Sequence, residues 1–217
     1  MNYSKLLQAI LDIAEEMLVC GAGVDRVEDS IERMCYAYGC DRVNAFIITS
    51  NIQVTVEDPN GEIITQIRRL VRNDTNFDRL DYLNDLSRYV CANKPSLEQL
   101  VEKYEDVMNR KEYPIWIDYL GAVLVASGFC VFFGGNALDA IASGILGVVI
   151  TVIRRFMSKV EENQMAKAFV SSLVSGFLAI ICVKVGIGDH VDKIMIGGIM
   201  LLIPGIAMTN SIRDMLI

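Results

Sequence analysis

The second half of the chain contains four stretches without a charged side chain, residues 119–138, 140–153, 168–183 and 194–212. An ordinary soluble domain does not bury apolar runs of this length and number, whereas a bilayer asks for about 17–25 such residues per helix. With their flanks the stretches predict four transmembrane helices, at about 115–135, 137–153, 167–187 and 191–208. The second is the shortest, begins beside Asp139, and can pair with the first as a tight hairpin across Gly134-Gly135-Asn136. Small residues recur four apart at Ala122/Ala126, Ala140/Gly144, Ser143/Gly147 and Ser172/Gly176, a spacing that lets helices approach closely in lipid.

Charge divides the chain at the same place. Residues 1–114 hold 20 Asp and Glu against 13 Lys and Arg, whereas residues 115–217 hold seven of each, so the whole net charge of −7 lies in the first part. A soluble acidic domain, 1–114, joined to a membrane domain, 115–217, is the expected organisation. An acidic balance without a long basic run argues against nucleic acid as a partner. The six cysteines form no C-x-x-C pair and no metal-ligand spacing, which reads as structural thiols in a reducing compartment.

The first domain reads as α+β. Leu6, Ile10, Ile13, Ala14 and Met17 give one amphipathic helix, ended by Gly21-Ala22-Gly23; its acids exclude a signal peptide. Val24, Val27, Ile31, Met34 and Tyr38 give a second, stopped at Gly39. Residues 43–49, 52–56 and 63–67 are β-rich, the last two joined by the turn Asp58-Pro59-Asn60-Gly61. Helices from Asn76 and from the capping box Ser96-x-x-Gln99 complete the order ααβββαα.

Enzyme chemistry in this domain is narrowly bounded. The chain's one histidine, His190, lies in the other half, which removes Ser/His/Asp and Cys/His arrangements from residues 1–114. Asp25, Glu28 and Asp29 leave carboxylate-only chemistry open, beside the plainer reading that acids complement a helix N-terminus. Arg68, Arg69 and Arg72 are either an acid-paired surface or a contact for phospholipid headgroups or an anion.

Polar groups among the spans are the functional leads, because hydrocarbon makes each of them costly. Asp118 and Asp214 fall near one membrane face, Asp139 and Lys184 near the other; the last two can pair, or Asp139 can cap a helix while Lys184 snorkels. Pro204 removes an amide and Gly205 loosens the backbone beside it, so the last span either kinks or breaks there, with Thr209 and Asn210 following. A helix restarting near Ile206 would aim its positive end at a carboxylate, as discontinuous transporter helices do. His190, between Asp189 and Asp192, reads as a solvated loop residue, and no metal or other cofactor is expected.

Orientation follows from short-loop basic residues. Residues 154–167 carry Arg154, Arg155, Lys159 and Lys167, the 134–139 loop carries none, and Arg110-Lys111 precede the first span. The N-terminal domain, the 154–167 loop and the C-terminus are therefore expected in the cytoplasm of a multi-pass cell-membrane protein.

Three segments carry a family resemblance: Gly21-Ala22-Gly23-Val24-Asp25-Arg26-Val27-Glu28, the strand Phe46–Ser50, and Ile203-Pro204-Gly205-Ile206-Ala207-Met208-Thr209-Asn210-Ser211-Ile212-Arg213-Asp214. The chain resembles the threonine/serine exporter family over essentially its whole length, in the smaller, N-terminal-half form of the two-component version. The resemblance implies no enzyme, but export of small amino acids or of a dicarboxylate such as succinate. It also implies a second membrane polypeptide supplying further helices, and a fifth helix beyond Arg213-Asp214, where this sequence ends at Ile217. Together these readings give a proton- or ion-coupled secondary transporter subunit, with substrate bound at Pro204, Gly205, Thr209 and Asn210. Coupling would fall to Asp118, Asp139, Lys184 or Asp214, and homo-oligomers are possible assemblies. The competing expectation is a membrane-tethered metabolite sensor or carboxylate-only hydrolase, with the helices as scaffold.

Overall fold

The computed structural model describes residues 2–48, 50–70, 75–111, 113–158 and 163–205, with Met208, Thr209, Ile212 and Met215. Its contacts divide the chain into two compact units, Met1–Lys111 and Glu112–Ile217.

In the first unit, helix α1 (Tyr3–Val19) is the central element. The expected stripe is widened by Leu7 and Leu11, both buried, because α1 packs against α2 (Val24–Ala37), α3 (Phe77–Asn93), α4 (Leu97–Met108) and strand β3 (Ile63–Arg69) at once. Strands β1 (Arg42–Ile48), β2 (Asn51–Glu57) and β3 (Ile63–Arg69) form one antiparallel sheet with β2 in the middle. Ile52, Val54 and Val56 of β2 are buried, as alternation requires, while Gln53 and Thr55 face the other way.

The β2–β3 turn is built by Asp58. Its carboxylate accepts the amides of Asn60 and Glu62, each at 2.9 Å, and Gly61 takes the positive φ of 82° that closes the turn. Ser96 and Gln99 form the reciprocal cap of α4, at 3.3 and 3.1 Å. All six cysteines are free thiols.

The second unit contains α5 (Ile115–Phe132), α6 (Ala137–Met157), α7 (Gln164–Val185) and α8 (Val191–Met200). Among the described residues three helices, α5, α6 and α7, are long and apolar enough to cross a membrane. The fourth expected span, 191–208, is not one helix. Its first part, α8, has ten residues and is about 15 Å long at 1.5 Å per residue, half a hydrocarbon core. Helix α6 is longer than expected because it runs on through Arg154 and Arg155, whose cations suit its C-terminal end.

Close packing follows the small residues. A Cβ on Gly147 would lie 2.7 Å from the Ala122 carbonyl oxygen and 3.1 Å from Ala126 Cβ. Two hydroxyls stitch the same seam: Ser143 donates to the Ala126 carbonyl at 2.9 Å, and Ser127 to that of Ala140 at 2.8 Å. Helix α6 also packs on α7 and α8, and α8 on α5 and α7. Helix α7 uses a different register from the expected one: Ser172 is exposed, and Ser171, Ser175, Ala179 and Cys182 form its buried stripe. The outward faces keep large apolar side chains, including Leu124, Phe132, Phe177 and Val185, as lipid contact requires.

Candidate functional site

The polar groups of the second unit gather at the two ends of α6 and at mid-height of α7. At the first end, Asn136-Ala137-Leu138-Asp139 forms a capping box: Asn136 Oδ1 accepts the Asp139 amide at 2.8 Å, and Asp139 Oδ2 accepts the Asn136 amide at 3.1 Å. Asp139 is fully buried, so the remaining lone pairs of its carboxylate need partners. They find them in the α7–α8 loop. Its Oδ1 accepts the amides of Asp189 (2.7 Å) and His190 (2.9 Å), and Oδ2 lies 2.8 Å from His190 Nδ1. Asn136 Nδ2 donates to Asp189 Oδ2 at 2.5 Å.

The arrangement clasps the start of α6 to the start of α8. Gly188 is required beneath it, since a Cβ there would stand 3.2 Å from Asp139 Oδ1 and meet Ile194. His190, half exposed, is no bystander of the loop. Its bond to the Asp139 carboxylate raises its pKa above the usual imidazole value, and the neighbouring charges of Asp139, Asp189 and Asp192 act in the same direction. Lys184, the partner sequence spacing offered to Asp139, is exposed on the last turn of α7.

At the other end of α6, Arg155 lies 3.7 Å from Asp118 of α5, both partly exposed. Arg154 Nη1 donates to the Leu201 carbonyl at 3.3 Å, just past the end of α8. The chain then turns through Leu202 and Ile203 to Pro204, and helical backbone resumes at Gly205, with the Met208 amide on the Pro204 carbonyl at 3.0 Å. Thr209 Oγ1 donates to the Gly205 carbonyl at 2.9 Å. Of the two sequence readings, kink or break, the backbone adopts the break. Pro204, Gly205 and Thr209 are exposed and share one segment; Asn210 and Asp214 lie outside the described residues. Asp118 and Asp139 therefore sit at opposite ends of α6, about 24 Å apart along its axis.

Sequence reasoning missed the middle of the bundle. Ser171 and Ser175 are fully buried, or nearly so, and neither hydroxyl has a hydrogen-bond partner among the described residues. The four-residue spacing of serines with Ala179 and Cys182 was the available signal, one position away from the Ser172/Gly176 pair that spacing alone favoured.

The first unit offers less. Arg68 is paired with Asp12 at 3.1 Å and Glu15 at 3.8 Å, and Arg72 lies outside the described residues. Asp29 pairs with Arg33 on the surface at 2.7 Å, while partial burial, with Glu32 and Asp25 adjacent, raises the Glu28 carboxyl.

Residues 8–217 match the model of the protein family described as "Putative threonine/serine exporter". Comparison with curated proteins and with solved structures returned no match.

Proposed function

The chain belongs to the threonine/serine exporter family, a family of membrane transporters and not of enzymes, and on that premise we propose how it takes hold of its substrate. The substrate class is small carboxylate-bearing metabolites, threonine and serine first, with a dicarboxylate such as succinate as the further candidate. The observation that carries this reading is the interruption between Met200 and Gly205. In hydrocarbon, backbone outside a helix is tolerated only where other groups satisfy it. Arg154 does so for the Leu201 carbonyl, at the C-terminal end of α8 where the break begins.

Beyond Pro204 the restarted helix presents its positive end, which suits a carboxylate. Pro204 and Gly205 shape that end, Thr209, one turn on, adds a hydrogen-bonding group, and Asn210, next in sequence, is the further candidate. Export against a gradient needs a coupling ion, and Asp118, Asp139, Lys184 and Asp214 are the candidates to bind it or respond to it. Among the described residues three helices are long and apolar enough to span and one is interrupted, a small bundle that favours completion by a second membrane polypeptide. Basic-residue counts favour a cell-membrane orientation with the first unit in the cytoplasm, where it senses or gates.

The test is counterflow of labelled threonine in proteoliposomes holding the full chain with its second polypeptide. Pro204→Ala combined with Asp118→Asn is expected to lower flux about tenfold or more, the range for losing an oriented charge contact. Wild-type flux from that double variant would remove the site assignment.

A further inference from the structure

The stripe that α7 turns into the bundle changes character along its length. Ala179 and Cys182 pack against Ala142, Leu146 and Ile194 as ordinary apolar core. One and two turns earlier the same face carries Ser175 and Ser171, 2% and 0% exposed. Ser175 stands near the centre of the 22-residue helix, about 16 Å from either end, which in a membrane is the midplane.

A serine in a helix can always return its hydroxyl to the carbonyl four residues back or to a neighbouring helix. In this bundle Ser127, Ser143 and Thr151 all do one or the other. Ser171 and Ser175 do neither, and their hydroxyl oxygens are left without partners. Ser175 lies against the backbone of α8: a Cβ added to Gly198 would stand 2.9 Å from Ser175 Oγ, 3.3 Å from Ile150 and 3.5 Å from Leu146 of α6, so glycine at 198 keeps that position free of a side chain. Helices α7 and α8 are antiparallel neighbours, so Ser171, one turn further, falls about level with the Leu201–Leu202 turn that precedes Pro204. The two hydroxyls thus lead from the midplane towards the interrupted helix.

Buried hydroxyls without partners are destabilising, and two on one face of one helix offer a bound polar ligand the partners it needs. We propose that Ser171 and Ser175, beside Gly198, are a subsite that binds the side-chain hydroxyl of a hydroxy-amino acid during transport. The proposal rests on the carboxylate reading of the Pro204 segment and adds a second point of attachment. The carboxylate goes to the restarted helix, and the substrate hydroxyl donates to one serine and accepts from the other. Midplane placement between helices is where transporter folds bind their solutes. A hydrogen-bonding pair also explains how threonine is told from its isostere valine, because a site that satisfies a hydroxyl rejects an analogue lacking it more strongly than an apolar pocket does.

The test separates this role from a structural one. The full chain with its second polypeptide, in lipid nanodiscs, is unfolded thermally without ligand and with threonine, serine, valine or alanine. The wild type is expected to respond to threonine over valine and to serine over alanine. In Ser171→Ala, Ser175→Ala and the double variant, the ligand-free midpoint is expected at or above that of the wild type, since only an unpartnered hydroxyl is removed. Threonine affinity falls roughly tenfold or more, and the valine response is unchanged. A lowered ligand-free midpoint would overturn the subsite, because the hydroxyls would then be bonded within the protein. So would a threonine preference that survives the double variant, which leaves the exporter reading standing. A wild type indifferent to all four amino acids, or one that does not distinguish threonine from valine, also overturns it, the first result removing the carboxylate reading as well.

Discussion

Asp139 accepts four hydrogen bonds with its side chain closed to solvent, and His190 supplies two of them, one from its backbone and one from its ring. The ring bond is stronger when the imidazole is charged. Because the bond to Asp139 raises the folded-state pKa of His190 above 6.5, its stabilising contribution is complete below the unfolded pKa and is lost as pH rises through the folded one. As this is the chain's one histidine, specific isotope labelling reports it alone. Its imidazole resonances are expected to titrate above 6.5 in the wild type and to fall back towards 6.5 in Asp139→Asn. That variant should also lose roughly 3 kcal/mol of stability by leaving buried donors unmet. An unchanged titration in Asp139→Asn would break the pairing. Sequence alone identified Asp139 as important and His190 as incidental. The cap was legible because Asn136 and Asp139 are three residues apart, whereas His190 comes from 51 residues away and is brought in by the α7–α8 turn.

Glycines decide how close the helices come, and their effects differ between positions of the same helix pair. Gly147 has no room for a methyl group against the Ala122 carbonyl, so Gly147→Ala must part α5 from α6, at about 2 kcal/mol. Gly128 of α5 has no atom within 4 Å of an added Cβ, and Gly128→Ala should raise stability by up to about 1 kcal/mol through helix propensity. Thermal unfolding of the two variants in the same lipid is expected to move in opposite directions, and equal shifts would remove the close α5–α6 contact. At this scale most of the fold was readable: hydrophobic period, glycine stops and caps located α1 to α4 and the three strands. Lipid-facing helices are harder, because apolar residues cover both their faces and the period that marks a buried side vanishes. That is why the small-residue seam of α5 and α6 was legible while the register of α7 came out one residue away. It is also why an uncharged run across 194–212 resembled a span, though its helix is interrupted between Met200 and Gly205.

The two compact units differ in what holds them. Residues up to Lys111 close around α1 and the buried face of β2, an interior that owes nothing to lipid, whereas the second unit leaves Leu124, Phe132, Phe169 and Phe177 on its surface and needs a bilayer to cover them. Which side of that bilayer each end of α6 faces is a matter of cations. Arg154 and Arg155 extend α6 by a turn at one end, and the opposite end has the Asn136–Asp139 cap without a basic residue in its loop. Translocating arginine is the costlier course, so the proposed orientation keeps the arginine end inside and turns the Asp139–His190 clasp outward. Reporter fusions after Asn136 and after Gly188 should be active only outside the cell, and fusions at the N-terminus and after Ser158 only inside. Replacing Arg154, Arg155, Lys159 and Lys167 with glutamine should yield mixed orientations without altering the acidic first unit. If orientation survives that replacement, the remaining bias must come from Arg110 and Lys111 ahead of α5, and moving those two charges becomes the manipulation that inverts the chain.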